Sequence, residues 1–289
     1  MSDEIAPDMA STPAVVPGVA RAEAGAQRPA GAAEETRDAF LGDRLMLRQP
    51  ARGYRAGVDA VLLAAAVDCH AGKALRVLDA GAGVGTAGLC LARRCPAVHV
   101  TLLELQAPLT RLARANVADN GLCERVRVVE ADLLDAKALT AAEVARESFD
   151  VVIANPPFHD AAAGTASADA VKAAAHAMPR DGLDDWLRAL AHLTRPGGRV
   201  VVIHKAESLA ELLAACRGRF GGLTVRPIQP RAETAAIRVI VSGIKGSRAP
   251  LQLSAPFVLH GEGHAFTPAA DAVLRLGDRK STRLNSSHR

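Results

Sequence analysis

The sequence predicts an α/β fold in which a mostly parallel sheet carries helices on both faces. Three observations indicate it. Short apolar runs rich in valine and leucine alternate with helical stretches, a glycine-rich turn follows the first of these runs, and polar residues stand at the ends of four successive runs. Strands that alternate with helices form parallel βαβ units, and such sheets bind ligands at the carboxyl ends of their strands.

The chain is long enough for one domain with a large core, since 49% of its 289 residues are hydrophobic. Residues 1–37 are rich in Ala, Pro, Gly and Glu and lack a hydrophobic period, so we expect a disordered arm. Residues 38–279 form the predicted domain. Residues 280–289 break abruptly from the Ala- and Val-rich body, and we interpret them as a non-native tail.

Composition narrows the function only slightly. The formal net charge is +4, and the last ten residues account for +3 of it. The overall charge is therefore weak support for a nucleic-acid partner. The sequence has neither a membrane-spanning run nor a secretory signal, and we expect no membrane contact and a cytoplasmic location. We predict buried free thiols and no metal site, because the cysteines are odd in number and lack C-x-x-C spacing. They are Cys69, Cys90, Cys95, Cys123 and Cys216.

An apolar helix over residues 60–67 precedes the first core strand. Asp59 stands where its carboxylate can cap this helix, and because a cap can border a binding crevice, Asp59 is also a candidate cofactor contact.

The first core strand, residues 75–79, ends in Asp79 and leads into Gly81, Gly83 and Gly85. Glycines permit a tight turn and let a ligand approach the backbone beside the N–H groups of the next helix. The spacing departs from the G-x-G-x-x-G of dinucleotide sites, and no Gly-Lys-Ser/Thr follows, which excludes a P-loop.

The second strand, residues 98–104, ends in Glu104, whose carboxylate can accept both hydroxyls of a ribose. After a helix, the third strand, residues 125–130, delivers Ala131 and Asp132 to the same edge. With Asn155 at the end of the fourth strand, four polar residues stand at one edge of the sheet, which is hard to explain by packing alone.

A helix predicted over residues 141–146 precedes the fourth strand, residues 149–154, which ends in Asn155-Pro156-Pro157-Phe158. An Asn-Pro-Pro-aromatic box after a buried strand can hold a planar NH₂ group. The Asn155 side-chain oxygen and the Pro156 carbonyl each accept one N–H, and the Phe158 ring can stack on a base. The remaining predicted elements are a substrate-facing loop over 159–179, helices over 183–193 and 208–217, and strands over 199–203, 223–228 and 236–242.

The glycine turn after Asp79, the acid Glu104, the pair Ala131-Asp132 and the Asn-Pro-Pro-Phe box together resemble the motifs of class I S-adenosylmethionine-dependent methyltransferases. The resemblance implies a Rossmann-like fold with roughly seven strands, one of them antiparallel near an edge, and S-adenosylmethionine as cofactor. It also implies that Glu104 binds the ribose hydroxyls, that Asp132 contacts the adenine amine, and that Asn155 borders the cofactor.

Residues 53–64 resemble the segment before the first core strand in bacterial adenine-N6 methyltransferases that modify tRNA1(Val) beside the anticodon. This resemblance implies an adenine-N6 methyltransferase with tRNA as its partner, and we expect a monomer. The candidate substrate contacts border the predicted site or could touch RNA phosphates without reading sequence. They are Tyr54, Arg55, His159, Lys245 and Arg248.

Three alternatives stay open. Phe158-His159 replaces the Tyr that many of those tRNA enzymes carry, and Phe-His also occurs in rRNA guanine-N2 methyltransferases, which usually carry a degenerate domain in front. Protein glutamine methyltransferases use the same box, normally behind a helical recognition domain. We expect neither preceding domain here. A non-enzymatic RNA-binding module would explain the Arg-rich segments but leaves the polar strand ends without a purpose.

Overall fold

The computed structural model describes residues 34–53, 55–69, 74–157 and 182–277. A nine-stranded sheet lies at its centre, and a two-stranded hairpin stands apart from it. The strands are β1 (Glu35–Phe40), β2 (Leu45–Pro50), β3 (Leu75–Ala80), β4 (Val98–Glu104), β5 (Val126–Glu130), β6 (Phe149–Ala154), β7 (Thr194–Lys205), β8 (Phe220–Gln229), β9 (Arg238–Lys245), β10 (Gln252–Leu253) and β11 (Phe257–Val258).

The central sheet is mostly parallel. Its strands follow the order β10, β8, β9, β7, β6, β3, β4, β5, and β11 also pairs with β8. β3 lies between β4 and β6 and runs parallel to both, while β9 runs antiparallel to its neighbours β7 and β8. The mostly parallel sheet confirms the predicted fold class, and the antiparallel strand near its edge is the one that the family resemblance implies.

Helices cover both faces of this sheet. They are α1 (Val58–Ala66), α2 (Thr86–Arg94), α3 (Ala107–Asp119), α4 (Ala136–Ala141), α5 (Gly182–Leu193), α6 (Leu209–Cys216) and α7 (Pro268–Leu276). One apolar cluster packs α1, α2, α3 and α7 against the sheet, and a second cluster packs α4, α5 and α6. No helix in the described part of the chain is long and apolar enough to cross a membrane.

The hairpin of β1 and β2 was not predicted, and two buried amides attach it to the domain. Asn116 of α3 accepts the Arg48 N–H at 2.7 Å and donates to the carbonyls of Arg48 at 3.1 Å and Val84 at 3.0 Å. Gln49 accepts the Ala56 N–H at 2.7 Å. The hairpin thereby fixes the segment that leads into α1.

Other elements differ from the sequence prediction in position. The helix expected over 141–146 is wrong, because α4 ends at Ala141 and begins after Asp135, whose side chain caps it by accepting two N–H groups of its first turn. β1 begins at Glu35, so the folded domain starts inside the predicted arm. The rest of that arm, residues 1–33, and the predicted tail, residues 280–289, lie outside the described residues.

The cysteine prediction is correct for only two residues. Cys90 and Cys216 are buried, and burial raises the pKa of Cys90 to about 12 and that of Cys216 to about 11, so both thiols are inert. Cys123 is exposed. Cys69 and Cys95 form a disulfide that links the end of α1 to the end of α2, which sequence spacing did not indicate.

We predict that breaking this disulfide lowers the free energy of unfolding by about 2–4 kcal/mol, because the bond restricts the unfolded chain. Thermal unfolding of wild type and Cys69→Ser, each with and without reductant, measures the effect. The variant should melt at the lower temperature of reduced wild type in both conditions. Cys123→Ser removes an exposed thiol and should behave as wild type does. If reductant leaves the wild-type melting temperature unchanged, the bond contributes no stability.

Candidate active site

Four strand ends meet at the carboxyl edge of the sheet. Ala80 of β3 is in register with Leu103 of β4 and with Ala154 of β6, and Glu104 is in register with the last residue of β5. The residues that follow these positions therefore lie side by side. The structure brings together the glycine turn, Glu104, the Ala131-Asp132 pair and Asn155, as parallel pairing requires.

Glu104 holds the glycine turn in place. Its carboxylate is buried and accepts the N–H of Gly83 at 2.8 Å and the N–H of Gln106 at 2.9 Å. The Ala82 N–H donates to the carbonyl of Leu103, also in β4, at 2.9 Å. The turn and the end of β4 are thus one hydrogen-bonded unit.

Glycine is required in the turn for two reasons. Gly81, Gly83 and Gly85 all have positive φ, at 69°, 58° and 90°, where other residues are strained. A methyl group on Gly85 would also lie 2.7 Å from a Leu102 side-chain carbon. Gly81 is exposed, so the turn presents bare backbone to a ligand.

Asp79 lies beneath the turn rather than facing its open side. It is 3% exposed, and its carboxylate accepts the N–H of Gly88 in α2 at 2.8 Å. Burial raises the pKa of Asp79 to about 7; the Gly88 hydrogen bond opposes the rise, and the nearby Glu104 adds to it. The structure therefore gives Asp79 a role in joining β3 to α2 and so in positioning the turn.

Ala131 and Asp132 extend the edge beyond Glu104. The Ala131 N–H donates to the Glu104 carbonyl at 3.1 Å, and the Asp132 carboxylate accepts the Leu134 N–H at 2.8 Å. Asp132 is half-buried and remains within reach of a ligand. Leu105, next to Glu104, is 61% exposed. The exposure of this apolar side chain among polar strand ends was not predicted; its place directly after a strand-end acid was the available signal.

The Asn-Pro-Pro segment leaves β6 beside the glycine turn. Asn155 is half-buried, Pro156 is buried and Pro157 is half-buried. Phe158, the fourth residue of the box, lies outside the described residues, as do His159 and Tyr54. The described part of the box therefore lies at the same level as the turn, because β6 pairs directly with β3, the strand that leads into the turn.

Asp59 does not cap α1 as predicted, and its candidate cofactor contact stays a prediction. Gly57, not Asp59, is the N-cap of α1, and the Asp59 carboxylate accepts from Arg238 at 2.8 Å. Arg238 begins β9 opposite Lys205, the last residue of β7, so the ion pair lies at the carboxyl edge. Arg55, just before α1, pairs with Asp38 of the hairpin at 2.8 Å.

Lys245 and Arg248 are not brought to this edge. Lys245 ends β9 at the opposite edge, where its ammonium donates to Glu147 at 2.8 Å, to the Ala191 carbonyl at 2.6 Å and to the Thr194 carbonyl at 2.8 Å. Its hydrogen bond holds the pKa of Glu147 below the usual value. Arg248 follows Lys245 in the chain at that same edge. The expected phosphate contacts of both residues are therefore separated from the site.

The geometry fits a methyl donor with a ribose. The exposed glycine backbone can lie against the amino-acid part, Glu104 can accept ribose hydroxyls, and half-buried Asp132 can accept an amine. Among the described residues, no group of three His, Cys, Asp or Glu side chains could hold a metal ion. The fold and the residues at the carboxyl edge of the sheet together place this protein in the class of S-adenosylmethionine-dependent methyltransferases.

The family model described as the methyltransferase small domain matches residues 57–215, which is more than half of the chain, and the chain belongs to that family. A Porphyromonas gingivalis protein named tRNA1(Val) (adenine(37)-N6)-methyltransferase is 29% identical over 177 residues, 61% of this chain and 68% of that protein. An Escherichia coli protein named ribosomal RNA small subunit methyltransferase C is 36% identical over 85 residues, 29% of this chain and 22% of that protein.

One solved structure covers most of the described fold. A crystal structure from Agrobacterium tumefaciens, titled a predicted O-methyltransferase, has 36% identity and a TM-score of 0.63, and covers 76% of this chain and 96% of that one. Family, fold and site agree that this chain is a methyltransferase whose cofactor is S-adenosylmethionine.

We predict that Asp79 makes stability fall as pH rises from about 4 to 7. Its folded-state pKa of about 7 lies above the unfolded value of about 3.9, so in this window the folded state binds the extra proton and loses stability with rising pH. Asp79→Asn keeps an acceptor for Gly88 and removes the titration. The difference in free energy of unfolding between this variant and wild type should therefore increase in favour of the variant by a few kcal/mol as pH rises from about 4 to 7.

Urea unfolding between pH 4.5 and 7.5 measures this difference. Asp135→Asn is the matched control, because Asp135 is exposed and Asn is an equally good helix cap. Its stability should follow the wild-type curve. Parallel curves for Asp79→Asn and wild type would show that Asp79 titrates normally in the folded protein.

Proposed function

We propose that this enzyme methylates the exocyclic N6 amine of an adenine in tRNA. The observation that carries the proposal is the Asn155-Pro156-Pro157 segment, which leaves β6 at the level of the glycine turn. It is supported by the P. gingivalis relative, whose name states the same reaction on tRNA1(Val).

An exocyclic adenine amine is a poor nucleophile, because its lone pair is delocalised into the ring. Two acceptors address this difficulty: the Asn155 side-chain oxygen takes one N–H and the Pro156 carbonyl takes the other. These contacts favour a pyramidal nitrogen and stabilise the positive charge that develops on it. The two prolines stiffen the segment, so both acceptors are held in place before the base arrives.

S-adenosylmethionine supplies a methyl group on a sulfonium, which becomes a neutral thioether when the new N–C bond forms. The chain must therefore hold the nitrogen lone pair in line with that methyl carbon. The adjacency of β3 and β6 supports this alignment, since one strand ends in the proposed donor turn and the other in the proposed acceptor segment. The surplus proton on nitrogen leaves to water afterwards, so this scheme requires no general base.

The box favours an amine over a hydroxyl acceptor. A hydroxyl has one proton to remove and needs a base, whereas an NH₂ group has two N–H donors for two carbonyl-type acceptors. Asp79 lies under the turn, and both oxygens of Glu104 accept backbone N–H groups, so neither acid is poised as that base. We therefore infer N-methylation here, although the A. tumefaciens structure is titled an O-methyltransferase.

Guanine-N2 methylation of rRNA is the second candidate. The match to ribosomal RNA small subunit methyltransferase C favours it, as does the Phe158-His159 pair, but that match covers only 29% of this chain. Guanine also carries an exocyclic NH₂ group, so the same two acceptors would serve.

Analysis of the methylated nucleoside tests the proposal. Purified enzyme is incubated with labelled S-adenosylmethionine and either tRNA or rRNA from a strain that lacks the gene, and the RNA is digested and separated. We predict label in N6-methyladenosine from tRNA. Label in N2-methylguanosine from rRNA would replace the proposal with the second candidate. In a third incubation, with protein extract of the same strain in place of RNA, label in glutamine together with unlabelled RNA in the first two would exclude both.

Asn155→Ala should lower the transfer rate by at least about 100-fold, as loss of a preorganised hydrogen-bond group does. Its affinity for S-adenosylmethionine, measured by calorimetry, should stay close to wild type, because the acceptor amide acts mainly on the base. Lys245→Ala is the control at the opposite edge, and its product should be the same nucleoside as that of wild type. Near-normal turnover of Asn155→Ala would contradict the mechanism.

A further inference from the structure

Trp186 lies against the glycine turn. It is the one tryptophan of the chain and sits on α5, half-buried. A methyl group built on Gly81 would lie 2.7 Å from Cη2 and 3.4 Å from Cζ3 of the indole. The six-membered ring of Trp186 therefore has its edge on the Gly81 backbone, at the turn that would hold the methyl donor.

Core packing alone does not account for this position. The buried face of α5 is formed by Leu183, Leu187, Leu190 and Leu193. Trp186 flanks that face and packs against its apolar cluster, yet the residue is only half-buried and lies next to exposed Gly81. A large aromatic ring next to bare backbone offers an apolar surface to a ligand that binds on the turn.

The position relative to the acceptor is also defined. Gly81 directly follows β3 and Asn155 directly follows β6, and these two strands are paired up to Ala80 and Ala154. The indole thus stands over the donor turn at the end that neighbours the acceptor segment. If Glu104 held the ribose of the methyl donor and Asn155 the acceptor, the methionine part would lie between them, on the turn that follows β3.

We propose that Trp186 is a wall of the donor pocket that contacts the methionine part of S-adenosylmethionine and positions it beside Asn155. This inference rests on the cofactor assignment and is independent of which RNA is methylated. It assigns to α5 a binding role in addition to its packing against the sheet.

The intrinsic fluorescence of the wild-type protein tests the contact directly, because all tryptophan emission comes from this residue. Saturating S-adenosylmethionine should change the intensity or shift the emission maximum, with a midpoint equal to the dissociation constant from calorimetry. No RNA is needed, so the result does not depend on the identity of the acceptor.

Variants separate binding from packing. Trp186→Leu should weaken S-adenosylmethionine binding about tenfold, and Trp186→Phe, which keeps a ring, should weaken it less. Arg188→Ala is the matched control on the same helix, since Arg188 is exposed and pairs with Asp184 and Asp185. It should bind the donor as wild type does. Circular dichroism and melting curves establish that each variant is folded.

Unchanged emission at donor concentrations where calorimetry detects saturation would overturn the proposal. So would a wild-type dissociation constant for folded Trp186→Phe and Trp186→Leu. Either result would leave Trp186 as a packing residue, while the methyltransferase assignment and the tRNA proposal would be unaffected.

Discussion

The conformation of the glycine turn, and with it the whole site, depends on two hydrogen bonds that Glu104 accepts. One carboxylate oxygen accepts the Gly83 N–H and the other accepts the Gln106 N–H, within a buried setting. Charged acceptors form stronger hydrogen bonds than neutral ones, and a buried N–H without a partner is costly. Glu104 therefore fixes the conformation of the glycine turn before any ligand is present, and the ribose proposal requires the same oxygens to accept a second set of donors.

The two halves of the site come from neighbouring strands, and parallel pairing aligns them. β3 and β4 provide the donor turn and its anchor, and β6 provides the acceptor segment. Asp79 adds to this arrangement at a cost: its buried carboxylate joins β3 to α2, and burial raises its pKa. A polar group that reduces stability at neutral pH and yet lies under a binding loop is consistent with selection for function over stability.

The elements that could be predicted are those determined by local pattern. β6 has the predicted bounds, because an apolar run is bounded by a charged segment and by prolines, and the strand-end residues follow from the parallel order. Long-range polar contacts could not be predicted. Asn116 joins the hairpin to α3, and Arg238 pairs with Asp59, which is distant in the sequence. Lys245 is held by hydrogen bonds at the edge of the sheet opposite the site. No local pattern identifies such partners, and Trp186 was overlooked for the same reason.

We propose that Glu104 holds both the glycine turn and the ribose of the methyl donor, and a double-mutant cycle measures the second of these roles. Calorimetry would compare S-adenosylmethionine with an analogue that lacks one ribose hydroxyl, on wild type and on Glu104→Gln, which keeps one oxygen acceptor and loses the charge. Removing the hydroxyl should weaken wild-type binding by about 1–3 kcal/mol and weaken binding to the variant much less. An equal loss in both proteins would show that Glu104 does not contact the ribose.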